Sequence, residues 1–121
     1  MLFKDRDKEY ASGTHEQIIY FAYKGKIRGK FVIQNLYNKK RYIYDFEIYD
    51  EYRNQGYGYL MIAEMINKYG NYNIPLTLAV LAENLPALHL YEKYGFTITS
   101  QEFWGFGNET LVYRMKYERN W

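Results

Sequence analysis

The stretch best equipped for chemistry is Arg53-Asn54-Gln55-Gly56-Tyr57-Gly58. Its two glycines let the backbone turn sharply and come close to a ligand where a Cβ would clash. If a helix follows, its first turn offers unpaired N–H groups and the positive end of the helix dipole, which suits phosphate. Arg53 adds a positive charge beside that turn, or else is an ordinary salt-bridged surface residue. No Gly-Lys-Ser/Thr follows, so this is not a P-loop. The third glycine and the acidic residue about 20 positions on that mark a dinucleotide fingerprint are also missing. Two carboxylates with acid–base potential, Asp45 and Glu47, lie two residues apart on a predicted strand and so share a face. His15 and His89 have no metal-ligand partner, so no metal site is expected. With zero cysteines there is no thiol nucleophile and no disulfide.

Several elements must position these groups. Residues 41–49 are rich in Tyr, Ile and Phe, which suit a half-buried strand. Residues 59–69 contain no Gly or Pro, and Met61, Met65 and Tyr69 recur every four residues, so they predict an amphipathic helix. Upstream, residues 17–23 and 27–36 read as strands joined by Lys24-Gly25-Lys26, with a second turn at Asn38-Lys39-Lys40. The three strands predict an antiparallel meander. Residues 1–14 are weakly patterned; the alternating signs over 4–9 predict a solvated face or a frayed end. Downstream, 70–73 is a polar break, and Pro75 opens a strand over 76–81 that is apolar enough for burial on both faces. Strand, helix, strand makes a right-handed crossover, so 76–81 lies parallel to 41–49. Asn84 caps a second helix, Pro86 suits its first turn and Gly95 ends it. Residues 96–103 and 110–117 are the last strands, around a turn at Gly105–Gly107. The expectation is one α/β domain over 1–121, a mixed, mostly antiparallel sheet of about six or seven strands with two main helices.

The second helix carries a further pattern, Asn84-x-x-Ala87-x-x-Leu90-Tyr91-x-x-x-Gly95-Phe96. Together with Arg53-x-x-Gly56-x-Gly58 upstream, it resembles the GNAT superfamily of acyl-CoA-dependent N-acyltransferases. The resemblance implies acetyl-CoA as cosubstrate and acetyl transfer to an amine of a small molecule, peptide or protein, by direct attack in a ternary complex. It implies that the N–H groups of Gln55, Gly56, Tyr57, Gly58 and Tyr59 cradle the pyrophosphate, with Arg53 nearby. The backbone edge of Phe46 to Ile48 would pair with the pantetheine arm, as an added strand pairs with a sheet. That requires the strands at Ile48 and Val80 to splay apart. Asn84 would touch the pantetheine as well as cap its helix. Tyr91 would be the general acid that protonates the departing thiolate. Relatives often supply a base from a central strand; Ala79 and Leu81 have none, which leaves Glu47, named here as the candidate, and Asp45. Family members usually place a strand and two helices before the first hairpin, and those helices help wall the acceptor site. Here about sixteen residues precede Gln17, so the acceptor side is expected to be trimmed. The alternative is a non-catalytic acyl-CoA-binding or interaction domain.

Composition bounds the rest. The 121 residues support one core, and 48% hydrophobic with 25% charged residues is a globular balance. No apolar run of about 18 residues exists, so no membrane partner is expected. The N-terminus lacks an apolar signal segment, and a cytoplasmic location is the expectation. A charge of +2 does not argue for nucleic acid. The aromatic-basic stretch 20–44 carries its charges at turns rather than on one face, which argues against RNA stacking. A homodimer is expected, anchored by Phe103, Trp104, Phe106, Tyr113, Tyr117 and Trp121.

Overall fold

The computed structural model describes residues 1–9, 15–36, 40–70 and 74–118. Strand β1 (Leu2–Glu9) pairs antiparallel with β2 (His15–Tyr23), so the N-terminal stretch is an edge strand and not a frayed end. Pairing of its backbone with β2 outweighs the weak side-chain pattern. β2 turns into β3 (Lys26–Asn35) through Lys24 and Gly25, both at positive φ (49° and 77°), the combination a two-residue hairpin needs. β3 then pairs antiparallel with β4 (Arg41–Ile48), completing the expected meander. Asn38 and Lys39 of the second turn, Asn71 to Asn73 of the polar break and Trp121 lie outside the described residues.

After a 3-10 turn (Asp50–Tyr52), α1 (Tyr57–Tyr69) crosses to β5 (Leu76–Leu81), which runs parallel to β4. Next come α2 (Leu85–Lys93), β6 (Thr97–Trp104) and β7 (Thr110–Tyr117). The seven-stranded sheet has the order β1-β2-β3-β4-β5-β7-β6. Both helices pack on one face. Met61, Ile62 and Met65 of α1 and Leu88 and Tyr91 of α2 share a core with Ile19, Phe21, Phe31, Ile33, Ile43, Leu78 and Met115.

Among the described residues, no helix covers the opposite face, and one expectation changes for that reason. Burial in β5 alternates: Leu76, Leu78 and Val80 are buried, Thr77 and Ala79 are half-buried, and Leu81 is 38% exposed. The strand is therefore buried on one face and not two. Only residues 10–14 separate β1 from β2, in line with the expected trimming of the helices that family members usually place before the first hairpin. The helix-free face carries Tyr20, Val32, Tyr42, Tyr44, Ala79 and Arg114, as their alternation with core residues and their cross-strand registers require.

Candidate active site

The backbone around the glycine turn has two left-handed residues, Asn54 (φ 62°) and Gly56 (φ 84°). Gly56 immediately precedes α1, which starts at Tyr57, two residues earlier than its periodicity suggested. The first bond in the helix runs from the Leu60 N–H to the Gly56 carbonyl at 3.4 Å. The N–H groups of Tyr57, Gly58 and Tyr59 therefore precede any carbonyl partner in the helix and face outward at its positive end. Gly58 faces α2, where a Cβ would sit 3.7 Å from Leu90 Cδ2.

β4 supplies the second component. Tyr44 stands opposite Val32, but Glu47 stands opposite Lys30, so three steps on β4 match two on β3. This is a β-bulge, and Asp45 sits in it with φ 51°. The bulge corrects the expected shared face of Asp45 and Glu47. Beyond it Phe46 and Ile48 pack toward the helices, while Glu47 turns to the other face and pairs with Lys30 at 3.7 Å. β4 and β5 pair only from Arg41–Leu76 to Ile43–Leu78 and then separate, which is the expected splay. The Tyr49 N–H donates to the Arg28 carbonyl at 2.9 Å, so the other end of that peptide, the Ile48 carbonyl, points to the open side. There Arg53 Nε donates to it at 3.0 Å, and Arg53 Nη1 also pairs with Asp50 at 3.1 Å.

Two clefts meet at the splay. The larger, about 610 Å³, is lined by Phe46, Glu47, Ile48, Arg53, Gly56, Tyr57, Gly58, Tyr59 and Asn84, and by Tyr52, His89 and Leu90. Gln55 is not among its walls; its side chain donates to the Glu51 carbonyl at 3.3 Å. The smaller, about 350 Å³, holds Tyr91 and Asp45 among Tyr42, Tyr44, Val80 and Trp104. Phe46, Asn84 and Ala87 line both clefts. The Asn84 side-chain Oδ1 accepts the Ala87 N–H at 3.3 Å, so the residue does cap α2.

Tyr91 is 7% exposed, with its ring 5.8 Å from both Phe46 and Phe96. Burial pushes its hydroxyl up to about 12, so it stays protonated at neutral pH. Its backbone is fixed by the end of α2. Gly95 (φ 100°) lets Phe96 N–H reach the Tyr91 carbonyl at 3.0 Å and Gly95 N–H reach that of Glu92 at 3.2 Å, a Schellman closure.

Of the groups singled out in the sequence, the fold brings Phe46, Glu47, Ile48, Arg53, Gly56, Tyr57, Gly58, Tyr59 and Asn84 to one cleft and Tyr91 to its neighbour. The cleft residues Tyr52, Tyr42 and Tyr44 were not singled out, because nothing separates them by pattern from the other aromatics, and Trp104 was read only as an interface anchor. Arg28, read as a solvated turn charge, instead packs against tyrosine rings. Among the described residues, no group of three His, Cys, Asp or Glu side chains could hold a metal ion. Among the described residues, no helix is long and apolar enough to cross a membrane.

The chain as a whole is similar to known proteins. The sequence profile of the Acetyltransferase (GNAT) family fits residues 2–96, and the chain belongs to that family. Membership supports acetyl transfer as its general activity. Among solved structures, a GNAT family acetyltransferase from Elizabethkingia anophelis with acetyl-CoA bound superposes with a TM-score of 0.72 at 21% identity, over 86% of this chain and 76% of that one. An acetyltransferase from Bacillus subtilis in complex with CoA gives 0.69 at 14% identity, over 87% and 78%. The ribosomal-protein-S18-alanine N-acetyltransferase from Escherichia coli gives 0.68 at 20% identity, over 86% and 70%. These likenesses establish the fold. No curated protein matches the chain in sequence.

Proposed function

We propose that the protein moves the acetyl group of acetyl-CoA to an amine by direct attack in a ternary complex. The observation that carries this reading is the junction of the two clefts. One runs from the glycine turn, the other holds Tyr91, and Phe46, Asn84 and Ala87 wall both. In this reading the N–H groups at the start of α1 bind the pyrophosphate. The pantetheine lies along the open edge of β4 at Phe46 to Ile48, near Asn84. The thioester then meets the smaller cleft. The amine attacks the thioester carbon, the C–S bond breaks, and Tyr91 donates its proton to the leaving sulfur. A carboxylate accepts the proton of the attacking amine, directly or through water. Asp45 fits this role better than Glu47, since it lines the Tyr91 cleft, whereas Glu47 lines the cofactor cleft and is held by Lys30. A cytoplasmic location and a homodimer belong to the same proposal.

The test is release of CoA thiol from acetyl-CoA across a broad panel of amines. Amine-dependent release supports the reading. Tight acetyl-CoA binding with no release for any amine favours the second one, a non-catalytic acyl-CoA-binding domain. The observation behind that alternative is the short β1–β2 connection, which leaves the acceptor side without the helices the family usually builds there.

A further inference from the structure

At the cofactor end of the molecule three tyrosines converge on one cation. The Arg28 guanidinium lies 4.7 Å from the centre of the Tyr52 ring and 4.8 Å from that of Tyr57. The two rings meet edge-on, 6.2 Å apart at 89°. Tyr23 closes the group, with its ring 5.6 Å from Tyr57 and its carbonyl accepting Arg28 Nε at 2.9 Å. The Arg28 carbonyl accepts the Tyr49 N–H, also at 2.9 Å. One residue thus joins the β2–β3 hairpin, the end of β4, the 3-10 turn and the first residue of α1. Among the described residues it forms no ion pair within 4 Å. Tyr52 and Tyr57 line the larger cleft, and Arg28 stands behind them.

We propose that Arg28 is a positioning residue for the phosphate end of the acetyl-CoA site. A cation between two ring faces holds both rings in place. Holding Tyr57 also holds the first N–H of α1, and holding Tyr52 fixes the opposite wall. The guanidinium further lends positive potential to a region where its field is not yet screened by salt, within about 10 Å. The other half of the site, around the thioester, receives none of these contacts. This inference rests on the reading of the glycine turn as an acetyl-CoA site.

The experiment is calorimetric titration of wild type, Arg28→Met and Arg28→Lys with acetyl-CoA and with S-acetylpantetheine, which lacks the diphosphate and nucleotide. Arg28→Met should bind acetyl-CoA about tenfold more weakly, and the loss for S-acetylpantetheine should be much smaller. Arg28→Lys should recover part of the loss, because an ammonium also sits over aromatic rings. Equal losses for both thioesters, or none, overturn the role. If Arg28→Met does not fold, Tyr52→Leu removes half of the stack and should show the same selective loss; an unselective effect there overturns the proposal too. Wild type that binds neither thioester rejects the cofactor reading itself, and the Arg28 role with it, whereas tight wild-type binding with unaffected variants rejects Arg28 alone.

Discussion

Tyr91 shows how burial and chemistry depend on each other. Its ring packs against Phe46 and Phe96, and burial raises its hydroxyl to about 12, so in the proposed reaction it would enter each cycle protonated. Tyr91→Phe keeps the ring and should lower turnover by about 10²-fold or more, with little change in acetyl-CoA affinity. Unchanged turnover, with chemistry shown to limit the rate, contradicts the role and leaves positioning as the source of rate. The pH dependence has a definite sign. A folded-state value raised to about 12 from the ordinary 10 stabilises the fold fully below 10, and that stability is lost as pH rises through 12. The loss is about 2–3 kcal/mol at full ionisation. Wild type should therefore lose stability over that window more steeply than Tyr91→Phe, as read by denaturant melts at stepped pH. Burial also raises Tyr49 and Tyr69, but both are common to the two proteins and drop out of the difference.

At the scale of elements, the site depends on how closely β3 approaches the bulged end of β4. Gly29 sits opposite Ile48, and a Cβ there would stand 2.5 Å from the Glu47 carbonyl oxygen and 2.9 Å from Ile48 Cδ1. Both strands are constrained by their ladders, so the backbone itself has to move. Gly29→Ala should cost about 1–3 kcal/mol in urea unfolding, the usual range for overpacking. It should also weaken acetyl-CoA binding, because the displaced strand carries the open edge at Phe46 to Ile48. An unchanged midpoint contradicts the close approach. Most of the elements were legible in the sequence because their signals are local. The hairpin turn, the helix at Met61 and Met65, the cap at Asn84 and the stop at Gly95 each announce themselves within a few residues. The splay followed from the family resemblance. The bulge was not legible, since an aspartate in left-handed conformation leaves no mark on a strand pattern. Nor was the Arg28 cluster, which joins residues 23, 28, 52 and 57 only once the sheet has formed. β1 was only partly legible, as room for one short strand ahead of Gln17, because an edge strand can be held by backbone pairing while its side chains alternate in charge.

At the scale of the whole molecule, the expected interface narrows. Tyr113 and Tyr117 pack against the core and are not free anchors, whereas Phe103 is 58% exposed, Trp104 39%, and Phe106 stands fully out at the β6–β7 turn. Aromatics concentrated on one hairpin suit a partner surface. Light scattering at micromolar concentration should give twice the 14.7 kDa monomer mass, and Phe106→Asp should halve it; a wild-type monomer contradicts the dimer. The central claim, however, is that the turn opening α1 holds acetyl-CoA, and it is tested most directly at Gly58. Space for a Cβ exists there, since Leu90 lies 3.7 Å from it, and the position is helical without positive φ, so the backbone itself does not demand glycine. The side chain would nevertheless enter the cleft where a phosphate must approach the N–H groups. Calorimetry of wild type against Gly58→Val, with folding checked by circular dichroism, should show saturable acetyl-CoA binding in the first and none in the second; wild-type affinity in a folded Gly58→Val protein would contradict the account.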